Sequence, residues 1–188
     1  MNKLKNIDAI LFDMMGVLLF QKSGYQPDML VDQTDTLIGH VTNDNNFKRE
    51  TLKKFHLNEQ EFNKVIAKIV DKYEPFEPIW RLLPELKKYY KLAIINNGTA
   101  LTLPRFDQKL NFKKYFDLFL SSAREGIEKP DRRIYLTAVK QLGVVPEKCL
   151  FMDDSPENID GAKCLGMQTI FWSNKERGFK EFSKLIGS

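Results

Sequence analysis

A chain of 188 residues with 43% hydrophobic and 29% charged side chains has an ordinary globular composition. That composition excludes a largely disordered chain, and the length allows a core without disulfides or structural metal. The 29 Lys and Arg are scattered among 25 Asp and Glu, and the resulting charge of +4 forms no basic stripe, so nucleic acid is not an expected partner.

The first apolar run, residues 9–20, is interrupted by Asp13 and followed by no small-residue cleavage site, so a secretory signal is not expected. No stretch approaches the ~18 apolar residues of a membrane span, and no membrane partner is expected. Residues 7–12 predict a buried strand. The next stretch, 19–90, reads as entirely helical; Phe62, Val65, Ile66, Ile69, Val70 and Tyr73 follow the three-four spacing of one buried helix face. Four more short apolar runs, 92–95, 118–120, 149–152 and 169–172, predict strands. Between them Ile134, Ala138 and Leu142 mark a helix with Pro130 near its start and Gly143 at its stop. Ser155 caps a further helix with the stripe Ile159, Ala162 and Leu165, ended by Gly166. Phe179, Phe182, Leu185 and Ile186 predict a last docking helix. Cys149 and Cys164 stand in apolar patterns without metal or redox spacing, and both are expected as small core residues of a reducing, cytoplasmic compartment.

Alternating strands and helices imply a parallel sheet covered on both faces. A crossover can take as few as ~10–12 residues, so the long helical stretch is an insertion. The expected architecture is α/β, a Rossmann-like parallel five-stranded sheet with a small helical cap subdomain. The core comprises 1–19 and 78–188, and the cap 20–77, returning near Pro75, Pro78 and Pro84. Ligands of open parallel sheets bind beyond the carboxyl ends of the strands, so the cap should roof the site. Tyr25, His40, Arg49, Trp80 and Arg81 are candidates to line that space, with packing or surface as the plainer reading of each. Neither His40 nor His56 stands in a triad-like context; a solvated or capping role is expected.

Polar residues gather at the tips of the apolar strands: Asp13, Asn96-Asn97-Gly98-Thr99, and Asp153-Asp154-Ser155-Pro156-Glu157-Asn158, with Lys129 before Pro130-Asp131. An aspartate after six nearly continuous apolar positions is hard to explain as a helix cap or turn acid. Two adjacent buried carboxylates are costly without a cation, although capping of the Ser155 helix is the alternative. A lysine before proline is ordinarily a surface residue, and only its place in the motif order argues otherwise.

In this order the motifs resemble the haloacid dehalogenase (HAD) superfamily, whose commonest members are magnesium-dependent phosphatases. The resemblance covers the whole chain, cap included. It implies that Asp13 attacks phosphorus and forms an aspartyl-phosphate. It implies Mg2+ held by Asp13, Asp154 and the backbone carbonyl of Met15, with Asp153 in support; a hard cation takes such oxygen ligands. Asn96, Asn97 and Lys129 would bind the phosphoryl group, Lys129 adding positive charge.

Two positions depart from the family pattern. Met15 stands where the phosphatases carry a second aspartate, which protonates the leaving group and activates water. A thioether cannot move a proton, and loss of such help costs ~10²–10⁴-fold. Asn96 replaces the usual Ser or Thr, a milder change because an amide still donates hydrogen bonds. The expected function is a phosphatase of a small phosphorylated metabolite, slowed by Met15. The alternative is a catalytically silent module that binds a phosphometabolite or a protein. A 2-haloacid dehalogenase ranks third: those enzymes also lack the second aspartate, but their last motif usually has Ser and Asn before a Trp-Asp pair, unlike Asp153-Asp154.

Overall fold

The computed structural model describes residues 3–187, so the expected bounds at 1 and 188 lie outside the described residues. Five parallel strands form the main sheet: β1 (Ala9–Phe12), β4 (Lys91–Asn96), β5 (Leu118–Ser121), β6 (Cys149–Asp153) and β7 (Gln168–Phe171), in the order β5-β4-β1-β6-β7. The period of two along a strand sends alternate side chains to opposite faces. Ile10, Phe12, Leu92, Ile94, Leu150 and Met152 share one buried cluster. Ala9, Leu11, Ala93, Ile95, Cys149 and Phe151 share another. Helix Lys175–Ile186 covers the first face with Phe182 and Ile186, and helix Arg132–Leu142 covers the second with Ile134, Tyr135 and Ala138. Each fully buried Leu, Ile or Phe contributes about 1.5–3 kcal/mol, and β1 is wholly buried.

The stretch between β1 and β4 is not entirely helical. Leu19–Gln21 (β2) and Tyr73–Pro75 (β3) pair antiparallel, carrying the chain out of the sheet domain and back. Strands of three residues carry too little periodicity to read. Tyr73, counted above on a helix face, is already extended (φ −108°, ψ 149°) where the helix ends.

Between β2 and β3 lie α1 (Met29–Ile38), α2 (Asp44–Phe55) and α3 (Glu59–Lys72). Asn58 and Glu61 form a capping box that starts α3. His56 caps α2 in the left-handed region (φ +53°). Phe62, Val65, Ile66 and Ile69 of α3 build a cluster with Val31, Val41 and Phe47, and Ala123 and Leu101 join it from beyond β5 and β4. Asp44, in the first turn of α2, accepts hydrogen bonds from Thr99 Oγ1 and from Ala100 N (3.1 Å). Ser122 Oγ donates to Val41 O at 2.5 Å. These bonds hold the three helices over the carboxyl ends of the strands.

Two other expectations need correction. Cys149 is buried but Cys164 is exposed, because it follows the last turn of helix Pro156–Lys163 on its outer side. Leu185 is exposed on the C-terminal helix, whose docking face is Phe182 and Ile186. Trp80 packs on Phe112 and Phe116 and donates Nε1–H to Leu18 O. Among the described residues no helix is long and apolar enough to cross a membrane.

Candidate active site

The register levels Phe12 of β1 with Met152 of β6. The next residue on each strand is therefore an aspartate on the same side of the sheet. Asp13 and Asp153 are both buried, and Lys129 reaches between them: its Nζ lies 2.6 Å from Asp13 Oδ1 and 2.6 Å from Asp153 Oδ2. The ammonium also sits 5.7 Å from the Phe151 ring centre, a favourable cation–π position.

Lys129 is fixed through its backbone. Asn97 Oδ1 accepts from Lys129 N (2.8 Å) and Asn97 Nδ2 donates to Lys129 O (2.9 Å). Both polar atoms of the Asn97 carboxamide thus bond the Lys129 backbone, so Asn97 positions Lys129 while it lines the same space. Gly161 lets helix Pro156–Lys163 approach, since a Cβ there would stand 2.8 Å from Pro130 O.

Asp153 is fully engaged. Its Oδ1 accepts from Ser155 N (2.9 Å) and from Asn158 Nδ2 (3.0 Å), and its Oδ2 from Lys129. Asp154 differs. Ser155 is the helix cap, so Asp154 caps nothing, and among the described residues no side-chain donor reaches it. Among the described residues Asp13 Oδ2 likewise takes no side-chain donor, its Oδ1 being the oxygen that Lys129 engages. Asn96, buried at the tip of β4, lines the same space, its carboxamide without a hydrogen bond among the described residues.

Met15 lies in a tight turn. Its bridge to Leu19 is made by Leu19 N to Met14 O (2.9 Å) and Gly16 N to Leu19 O (2.9 Å). The carbonyl and N–H of Met15 itself are left out of that bridge. Its side chain is half-buried against the core and faces the cavity.

The electrostatics are strained. Burial is the largest influence on Asp13 and pushes its carboxyl up to about 7, against the pull of Lys129 and with repulsion from Asp153. For Lys129, burial works against the ammonium, but Asp13 and Asp153 outweigh it and the net direction is up. Asp154 is raised by partial desolvation and then by Asp153. One oxygen from each of Asp13, Asp153 and Asp154 falls within 4.8 Å of the others. With all three carboxylates ionised, they and the one ammonium leave two negative charges, which a divalent cation would balance. The donor set is all oxygen, as magnesium requires. The residues present fit such an ion.

Asp13, Met15, Asn96, Lys129 and Asp154 form the floor of a cavity of ≈ 660 Å³, with Asp153 beneath it. Its far wall comes from α1, the Gly39-His40 turn, Ile69 and Tyr73. Of the five candidate lining residues, His40 alone lines it. Tyr25 instead bonds Asp32, Trp80 is packed, and Arg49 and Arg81 are exposed beside Glu50 and Glu77. Asp35, Tyr73 and Glu128 line it as well, none of them a lining candidate from sequence. They meet only through tertiary packing, and no local motif marks them.

The family model of haloacid dehalogenase-like hydrolases matches residues 7–166. The chain belongs to the haloacid dehalogenase-like hydrolase family. It is 37% identical over 100 residues to acyl-CoA dehydrogenase family member 10 of Mus musculus, covering 53% of this chain and 9% of that protein. It is 36% identical over 84 residues to a phosphorylated carbohydrates phosphatase of Thermotoga maritima, covering 45% of this chain and 39% of that protein. The chain thus spans well under half the length of these curated relatives. Among solved structures, a HAD family enzyme of Bacteroides thetaiotaomicron in complex with magnesium and inorganic phosphate shares the fold. Its TM-score is 0.69 at 16% identity, over 88% of this chain and 93% of that one.

Proposed function

We propose that this hydrolase is a magnesium-dependent phosphatase of a small phosphorylated metabolite, acting through Asp13. The observation that carries the reading is the buried Lys129 ammonium shared by Asp13 and Asp153, with Asp13 lining a cavity and its Oδ2 without a side-chain donor among the described residues. Such an arrangement is costly for stability alone, because removing charges from water is repaid only by excellent geometry.

In this reading Asp13, Asp154 and the Met15 carbonyl would hold Mg2+, which when bound would draw charge from the phosphoryl oxygens. The Asp13 carboxylate attacks phosphorus, and the ester P–O bond breaks as the acyl-phosphate bond forms. Lys129 and the Asn96 amide stabilise the oxygens where charge develops. Water then cleaves the acyl-phosphate, returning Asp13 and releasing phosphate. Residues 20–77 act as the cap that excludes bulk water and meets the leaving group. Nothing at Met15 can protonate that leaving group or activate the water, so both half-reactions run without this help.

A second reading, a silent phosphometabolite- or protein-binding module, is favoured by Met15 alone. A screen of phosphate esters and 2-haloacids, with and without magnesium, separates these readings. Magnesium-dependent release of phosphate from an ester supports the phosphatase. Halide release without metal would favour the dehalogenase, and no turnover of either class the silent module.

A further inference from the structure

The cap side of the cavity carries one carboxylate, Asp35 of α1. Its side chain is only 12% exposed. Lys72 Nζ (2.8 Å) and Tyr73 Oη (2.6 Å) both donate to Asp35 Oδ2. Lys72, itself 10% exposed, also donates to Asp32 Oδ1 at 2.8 Å, and Tyr25 Oη donates to the same oxygen at 3.0 Å. Asp35 is therefore held rigidly, with both donors on one oxygen. Among the described residues its Oδ1 has no protein donor, and an ionised carboxylate accepts at about four positions.

Charge around this carboxylate is one-sided. Asp32, Asp35 and Lys72 together leave one negative charge on the cap wall. Glu128 and Glu157 also line the cavity; Glu128 Oε2 is buried without a hydrogen-bond partner among the described residues, and the His40 ring nitrogen Nδ1 lies 3.9 Å from it. The one Lys or Arg lining the cavity among the described residues, Lys129, is committed to Asp13 and Asp153. A leaving group that brings a second anion meets repulsion here, whereas hydroxyl or ammonium donors meet a prepared acceptor. The volume suits a ligand of metabolite size, since such pockets run about 300–1,000 Å³.

We propose that Asp35, braced by Lys72 and Tyr73, is the specificity residue of the cavity. It selects phosphomonoesters whose organic part carries hydroxyl or ammonium donors and rejects those carrying a second anion. The proposal rests on the phosphatase reading for its kinetic test but not for its binding test. The probes are glycerol 3-phosphate (hydroxyl), phosphoethanolamine (ammonium), 3-phosphoglycerate (carboxylate) and an aryl phosphate with no donor.

Wild-type kcat/KM should favour a donor ester over 3-phosphoglycerate, and the two donor arms show which donor fits. In Asp35→Asn the ratio of donor ester to aryl phosphate should fall about 10- to 100-fold, the worth of one charge-assisted hydrogen bond. Discrimination against 3-phosphoglycerate should shrink. Asp32→Asn removes a charge from the same network outside the cavity and should keep the donor preference while weakening discrimination against 3-phosphoglycerate. Calorimetric binding of the same esters to Asp13→Asn, with and without Asp35→Asn, reads the preference without turnover. Equal binding of donor and carboxylate esters, or an equal loss on every ester in Asp35→Asn, overturns the proposal. Absence of wild-type turnover with the binding preference intact would overturn the phosphatase reading alone.

Discussion

Gly16 and Asp154 stand so close that residue 16 has no room for a Cβ: a methyl placed there would overlap the Asp154 carboxylate, with Cγ at 2.7 Å. Gly16 also holds φ +85°, a region in which side chains are strained. The turn after Asp13 therefore fits closely around the acid that ends the fourth motif. Gly16→Ala should displace Asp154. Magnesium affinity should fall about 10- to 100-fold, the range for changes around a metal's ligands. The fold should lose about 1–2 kcal/mol from the left-handed backbone. Titration calorimetry and thermal melts measure the two effects; unchanged affinity would separate Asp154 from the metal.

Asp154 itself gives the simpler test. It has no structural partner among the described residues, so Asp154→Ala should leave the melting temperature unchanged or raise it as repulsion from Asp153 disappears. Magnesium binding should be lost. Equal binding by both forms, or none by either, contradicts the proposed ligand set.

Lys129→Met should be strongly destabilising. It leaves two buried carboxylates facing each other without their cation, and removal of one partner of a buried pair costs about 3–5 kcal/mol. Adding Asp153→Asn should recover part of that loss, because the surplus negative charge is halved. Urea unfolding of the single and double variants checks the sign; additive losses would mean that Lys129 acts mainly through packing.

Much of this site was legible because strand-tip acids follow from a simple count. Apolar runs of four to six residues fix the strand ends, and parallel pairing brings those ends to one edge, so Asp13, Asn96 and Asp153 had to meet. The partner of Asn97 was not legible because a sequence says which groups are polar, not what each one bonds; only the fold shows its amide on the Lys129 backbone. Asp35 was invisible. It is one of two acids in α1, and it acquires meaning from Lys72 and Tyr73, nearly forty positions away. The β2–β3 ribbon was missed because three residues are too few to show a period of two.

Met15→Asp should raise turnover, most for esters with poor leaving groups, by up to ~10²–10⁴-fold where proton transfer limits the rate. Met15 faces the cavity while half-buried against core side chains, so the variant carries a packing risk that a thermal melt reveals. A folded, magnesium-binding Met15→Asp form without gain on any ester would favour the silent module.

The central claim is that Asp13 becomes phosphorylated, and intact-mass spectrometry measures that directly. An activated aryl phosphate needs no proton on its leaving group, whereas hydrolysis of the acyl-phosphate lacks the base that Met15 replaces. The first step should then outrun the second. Mixing wild-type protein with aryl phosphate and magnesium, then quenching in acid, should show an adduct of one phosphoryl group on the peptide containing Asp13. The adduct should be absent in Asp13→Asn and less abundant in Met15→Asp, where hydrolysis is faster. An adduct on another residue, or ester turnover undiminished in Asp13→Asn, would contradict the account.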